Sequence, residues 1–252
     1  MNIYFPKNIF TEVIRNSVNE EIASQISFHP SSLIARKIIK DSGSVGLIPT
    51  MDLLGHKDLF VSKSFGISFE ESLCNSYLYF QTHGASIKEV NLLGDLSSNE
   101  AIIGKLIMRE LYGVDVQMNL LTGSQNQDNK DIISVGDINF ENDKFLSGIS
   151  FAEEVIEVLS LPYVNFILVS TEKSALENFH SSIGNIQPQI YLQVEVENFG
   201  NSFSEKTKMK IKEDISSFVC GLDDQDRDGI DQLLRLAFYH EMISEIIEVK
   251  FI

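Results

Sequence analysis

Asn75-Ser76-Tyr77-Leu78-Tyr79-Phe80 is followed by Asp95-Leu96-Ser97-Ser98-Asn99-Glu100-Ala101, and the rest of the chain is organised around these two pieces. The first part alternates and is aromatic, the pattern of a strand. The second sets a serine pair at the head of a long segment with apolar residues at helical spacing. A strand that crosses over to a helix whose free N–H groups open into a cleft is suited to holding an anion.

On the N-terminal side of this stretch, residues 2–6 read as a strand stopped by Pro6, and Ile9, Val13 and Ile14 as one face of a helix. Residues 22–27 read as a second strand. His29-Pro30-Ser31-Ser32 then introduces Leu33, Ile34, Ile38 and Ile39 at helical spacing, with Ser31 as N-cap. Residues 45–49 form a short apolar strand that hands over at Thr50 to a helix over 51–54, and residues 59–70 and 75–81 read as further strands. This alternation argues for an α/β protein with a largely parallel sheet and helices on its faces.

On the C-terminal side, the helix from Asn99 buries Ile102, Ile103, Leu106, Ile107 and Leu111 and ends at Gly113. Strands are expected at 114–121, 132–135 and 166–170, a polar loop at 123–130, and a helix at 151–159 stopped before Pro162. In the tail, Gln189 to Glu197 alternates as a strand, while 204–219 and 229–242 read as helices. The expected division is two lobes: residues 1–82 with 171–252, and residues 83–170, with the two crossings acting as hinges.

The chain of 252 residues carries a formal charge of −16 and 43% hydrophobic residues. That supplies a sizeable core and a field that repels phosphate backbones and anionic lipid, so neither nucleic acid nor membrane is expected as a partner. Any small anion must be held by local helix dipoles against the net charge. No stretch has the length of a membrane span, and the N-terminus does not read as a signal peptide, so a cytoplasmic location is expected. Cys74 and Cys220 lie in apolar surroundings without C-x-x-C spacing and read as buried free thiols.

Asp224-Gln225-Asp226-Arg227-Asp228-Gly229 matches the first half of a calcium-binding loop, but Arg235 stands where the bidentate carboxylate belongs. Acidic residues before a helix are also what its dipole favours, and that reading is preferred here. The five histidines lack metal-ligand spacing, and neither a nucleophile elbow nor a phosphate loop is present, so no metal or cofactor is implied. Ser97-x-x-Glu100 is also a capping box, a device that stabilises a helix start and does nothing else.

Taken together, these pieces resemble a family, the chorismate dehydratases of the futalosine route to menaquinone. Pro30-Ser31-Ser32-Leu33 and Gly46-Leu47-Ile48-Pro49 are similar to its first-lobe segment, and Asn75-Ser76-Tyr77-Leu78 to its serine-bearing strand. Asp95-Leu96-Ser97-Ser98, Gly136-Asp137, Leu161-Pro162-Tyr163 and Gly221-Leu222-Asp223-Asp224 are similar to later segments in the same order. The resemblance implies the two-lobed fold of type II periplasmic binding proteins, with a ligand cleft between lobes that are each a sheet flanked by helices. It further implies a lyase that eliminates water from chorismate to leave an enolpyruvyl benzoate.

By that resemblance Ser76 and Asn8 are the catalytic candidates, with Thr50, Asn75, Ser97, Ser98, Asn99, Gly136 and Asp137 around a small anionic carboxylate ligand. Asn8 lies two residues later than the family's asparagine, whose register Pro6 occupies, and Glu100 and Ala101 stand where the family has hydroxyl residues. The alternative is a non-catalytic small-anion-binding or sensor protein on the same frame. Oligomeric state is not legible in the sequence.

Overall fold

Strand β1 (Ile3–Pro6) lies next to one edge of the first sheet, and the chain returns to that sheet late. The computed structural model describes all residues except 83–85, 123–126 and 197–202. After β1 come α1 (Ile9–Ser17), α2 (Glu20–Gln25), β2 (Ile26–His29), α3 (Ile34–Lys40), β3 (Val45–Pro49) and β4 (Phe60–Phe69). The middle of the chain supplies β5 (Ser76–Tyr79), β6 (Glu89–Gly94), α4 (Ser98–Glu110), β7 (Gln117–Leu120), β8 (Ile132–Val135), β9 (Ile149–Ser150) and α5 (Phe151–Leu159). The rest is β10 (Tyr163–Ser170), α6 (Lys173–Ile183), α7 (Gln187–Val196), α8 (Glu205–Asp214), β11 (Phe218–Val219), α9 (Asp224–Tyr239) and β12 (Lys250–Phe251).

The first sheet has the order β11-β4-β10-β3-β1-β2, with β12 also on β4; the second has the order β7-β6-β8-β5-β9. In the first sheet β1, β2 and β3 are parallel, but β10 is antiparallel to both β3 and β4. The expected parallel sheet is therefore a mixed one. Strand β10 is buried along its whole length, consistent with its position between two neighbours and its run Tyr163-Val164-Asn165-Phe166-Ile167-Leu168-Val169-Ser170.

Sheet membership also moves both expected lobe crossings. Strand β5 pairs with β8 and β9 in the second sheet, and β10 belongs to the first. The chain thus leaves the first sheet after Phe69 and re-enters at Tyr163, residues that pair with each other. The boundaries at 82/83 and 170/171 are replaced by these crossings, because ladder pairing decides membership and sequence alternation cannot. His83 itself lies outside the described residues.

Local readings shift for identifiable reasons. Asn19 accepts a hydrogen bond from the Ile22 amide (2.9 Å) and starts α2 where a strand over 22–27 was expected. Gln189 to Glu197 alternates in sequence, yet Ile186 and Ile190, four residues apart, are buried while Leu192 is exposed, which is the helical pattern of α7. The helix expected over 204–219 ends at Asp214 and passes through a 3-10 turn into β11. Asp224 to Gly229 opens α9 behind Asp223 as N-cap, and Asp226 accepts from Ser68 Oγ at 2.5 Å. Both cysteines are free and buried.

One apolar core spans both sheets. Phe140, just beyond β8, packs on Phe10 of α1 (6.2 Å between centroids) and on Tyr77 of β5 (6.2 Å), while Phe151 meets Tyr163 at 5.8 Å. The lobes are thus joined by aromatic packing as well as by the two chain crossings.

Candidate functional site

Parallel strands β1, β2 and β3 end at one edge of the first sheet, and each is followed by a helical start: Ile9, Ser31 and the turn at Thr50–Leu54. Parallel strands β6 and β8 end at Gly94 and Val135 and are followed by Asp95 and Gly136-Asp137. The crevice beyond such carboxyl ends is where open α/β sheets hold ligands. Gly94 makes the close approach there, with φ +108°, and a Cβ on it would lie 1.9 Å from the Val135 carbonyl oxygen.

The residues selected from the sequence take the following places. Ser76 is buried and donates its hydroxyl to Glu100 Oε1 at 2.8 Å. The other carboxylate oxygen of Glu100 accepts from the Ser97 amide (3.0 Å) and hydroxyl (2.6 Å). Glu100 is 1% exposed, and burial pushes its carboxyl up while the serines pull it down. The capping box expected at Ser97 and Glu100 is therefore present, and Glu100 extends it to the Ser76 hydroxyl.

Asn8 has a structural task. Its Oδ1 accepts from the Thr11 amide at 3.0 Å and forms a capping box at α1, so its side chain does not reach Ser76. Asn99, fully buried, accepts from the Met51 amide (2.9 Å) and donates to Tyr163 Oη, the Asn165 carbonyl and Asn165 Oδ1 at 3.2, 2.7 and 3.0 Å. Thr50 donates to the Val164 carbonyl at 2.6 Å. Ser98 Oγ is buried without a partner, and desolvation pushes the half-buried Asp52 up.

Asn75 uses its carbonyl to accept from the Gly136 amide (2.8 Å) and Asn139 Nδ2 (3.2 Å), while its own Oδ1 is buried without a partner. Gly136 adopts φ +94° and leaves open space where a side chain would stand. Asp137 accepts from the Ile9 amide at 2.9 Å, capping α1 from the other lobe, and burial pushes its carboxyl up to about 6.

Sequence reasoning missed Asp95 as an acceptor. Its carboxylate accepts from the Ser31 amide (3.1 Å to each oxygen) and the Ser31 hydroxyl (2.6 Å), so Ser31 is a donor across the crevice and not the expected N-cap. Asn139 and Asn165 were also missed; both are buried, Asn165 accepting from Asn99 across the lobe junction and Asn139 donating to the Ser134 carbonyl within the second lobe. An acidic residue directly after an apolar strand, as in Leu93-Gly94-Asp95 and Val135-Gly136-Asp137, is the signal available in the sequence.

Away from the crevice, a cavity of about 570 Å³ is lined by Ser64, Phe65, His180, Gln187, Cys220 and Leu222, among others. Ser62 Oγ accepts from the Ser64 and Phe65 amides, which leaves its proton for His180 Nε2 at 3.0 Å. Ser62 is fully buried and burial lowers His180, so the pair is a neutral structural contact. Among the described residues no cluster of His, Cys, Asp and Glu could hold a metal ion, and no helix is long and apolar enough to cross a membrane.

Solved structures share this architecture. Protein AF1704 from Archaeoglobus fulgidus is similar over 96% of this chain and 98% of its own, with a TM-score of 0.67 and 9% identity. An ABC transporter from Parabacteroides distasonis (TM-score 0.55, 10% identity, 100% and 98% covered) is similar too. So is the periplasmic aliphatic sulphonate binding protein SsuA from Escherichia coli (TM-score 0.53, 11% identity, 99% and 95% covered). The fold is the two-lobed type II binding-protein fold. At these identities the likeness concerns the fold alone. No family model matches the sequence, and no curated protein matches it.

Proposed function

We propose that this protein is a non-catalytic small-molecule-binding or sensor module on the two-lobed frame, taking a polar ligand that is not a dianion. The observation that carries the reading is the coordination of Glu100. Its carboxylate takes the Ser76 hydroxyl, the Ser97 hydroxyl and the Ser97 amide, the donors that an incoming ligand carboxylate would need. A second carboxylate beside it would find these three donors already taken. Asp95 and Asp137 add two further acidic groups to the same crevice.

Dehydration of chorismate would need a base and an amide or hydroxyl free to assist departure of hydroxide. Ser76 is committed to Glu100 and Asn8 to the start of α1, which speaks against that chemistry. Two buried amide atoms, Asn75 Oδ1 and Asn165 Nδ2, lack partners.

The test is a thermal-shift screen of amino acids, amines, sugars and chorismate, with chromatography for enolpyruvyl benzoate in the chorismate sample. Stabilisation by a neutral or cationic compound, with chorismate giving neither a shift nor product, is the expected result. Product formation that is lost in Ser76→Ala would overturn the reading in favour of the lyase, and a flat screen would overturn binding.

A further inference from the structure

The two lobes carry their own closing contacts. We propose that the segments following β6 and β8 act as an internal latch, in which Asp95, Asn99, Asp137 and Asp143 take donors of the first lobe's helices and turns and hold the crevice closed without a ligand.

Four contacts, all between lobes, make up the latch. Asp137 accepts from the Ile9 amide at the start of α1, Asp95 from the Ser31 amide and hydroxyl, and Asn99 from the Met51 amide. Asp143 accepts from Ser204 Oγ and from Thr207 Oγ1 (2.6 Å) at the start of α8. Asn142 and Asp143 both adopt left-handed backbone, φ +53° and +58°, a conformation that costs free energy in two consecutive non-glycine residues. That cost is offset where the Asp143 carboxylate meets the Ser204 and Thr207 hydroxyls.

The Asp137 and Asp95 contacts place oxygen acceptors against backbone donors at helical starts, donors that an α/β crevice otherwise presents to solvent or ligand. The chain therefore supplies the acceptors itself, and any occupant of the crevice competes with them. Phe140, between Asp137 and Asp143 in sequence, anchors the same segment against Phe10. A ligand thus works against both polar and aromatic contacts.

Protons bear on one member of the set. The groups facing Asp137 are the Ile9 amide and Lys7, which favour its charged form, and Glu12 and Glu141, which oppose it. With the carboxyl pushed up to about 6 in the closed form and an ordinary value of 3.8 when exposed, protonation favours the closed form. Closure then tightens about tenfold between pH 7.5 and 5.

This inference goes beyond the binding reading and is tested without any ligand, so a flat ligand screen leaves it standing. Hydrogen exchange of the purified, ligand-free chain would be followed at the amides of Ile9, Ser31 and Met51, with rates corrected for intrinsic pH dependence. The expected result is strong protection in the wild type, lost at least tenfold at Ile9 in Asp137→Ala and at Ser31 in Asp95→Ala. Asp137→Asn keeps an acceptor and guards against misfolding of the alanine variant; it should retain protection but lose the gain at low pH. Wild-type protection at Ile9 and Ser31 that survives both alanine substitutions would overturn the latch. Protection in Asp137→Asn that keeps the wild-type pH response would overturn the role given to Asp137.

Discussion

At the scale of single residues, Glu100 gathers three donors onto one buried carboxylate. Its carboxylate holds a hydroxyl on one oxygen and an amide and a hydroxyl on the other. Removing it should leave an anion-shaped vacancy. Glu100→Ala is expected to destabilise the protein by about 3 kcal/mol, because three buried donors lose their acceptor. Millimolar formate or acetate should raise the melting temperature of that variant and not of the wild type. Thermal denaturation with and without the anion checks this, and equal responses of the two proteins would count against Glu100 as the occupant. Glu100 was readable in the sequence as half of a capping box; its bond to Ser76, 24 residues away, was not, because nothing local encodes which strand the helix start faces.

At the scale of elements, two asparagines once grouped in a single site do different jobs. Asn8 closes a capping box inside its own helix, whereas Asn99 joins α4 to β10 and to the turn at Thr50. Asn8→Ala should therefore cost about 1 kcal/mol, the ordinary value of an N-cap. Asn99→Ala should cost about 3 kcal/mol, since it strands the Met51 amide and Asn165 in a dry junction. Denaturant midpoints of the two variants measure the difference, and equal losses would contradict it. The helices α1, α4, α5 and α9 were legible because periodic apolar residues and caps are local signals. Strands β5 and β10 were found in sequence but assigned to the wrong lobes, because a strand's alternation says which face is buried and nothing about which sheet it joins.

At the scale of the whole molecule, buried acids and net charge act in the same direction. Burial raises Asp52, Glu100, Asp137 and Asp226 above their ordinary values. A carboxyl raised in the folded state contributes stability that is present below its unfolded value and lost as pH rises through its folded value. For Asp137, with a folded value of about 6, that amounts to about 1 kcal/mol between pH 7.5 and 5.5. The melting temperature should rise by roughly 2–4 °C over that interval, and the formal charge of −16 at neutral pH adds to the trend as it falls. Scanning calorimetry at the two pH values checks it, and a lower melting temperature at pH 5.5 would contradict it. The two-lobed architecture was readable from the order of elements; the contact of Asp95 with Ser31 was not, since the two lie 64 residues apart in sequence and meet only in the folded chain.

The position of β10 bears on the order in which a nascent chain gains its structure. It lies between β3 and β4, so those two strands wait for about a hundred residues of synthesis before their shared neighbour emerges. The five strands of the second sheet are all present once residue 150 has left the ribosome. Vectorial folding therefore completes the inserted lobe first, while the host lobe stays open with apolar strand edges exposed. During that interval the net charge of −16 acts against association through those open edges.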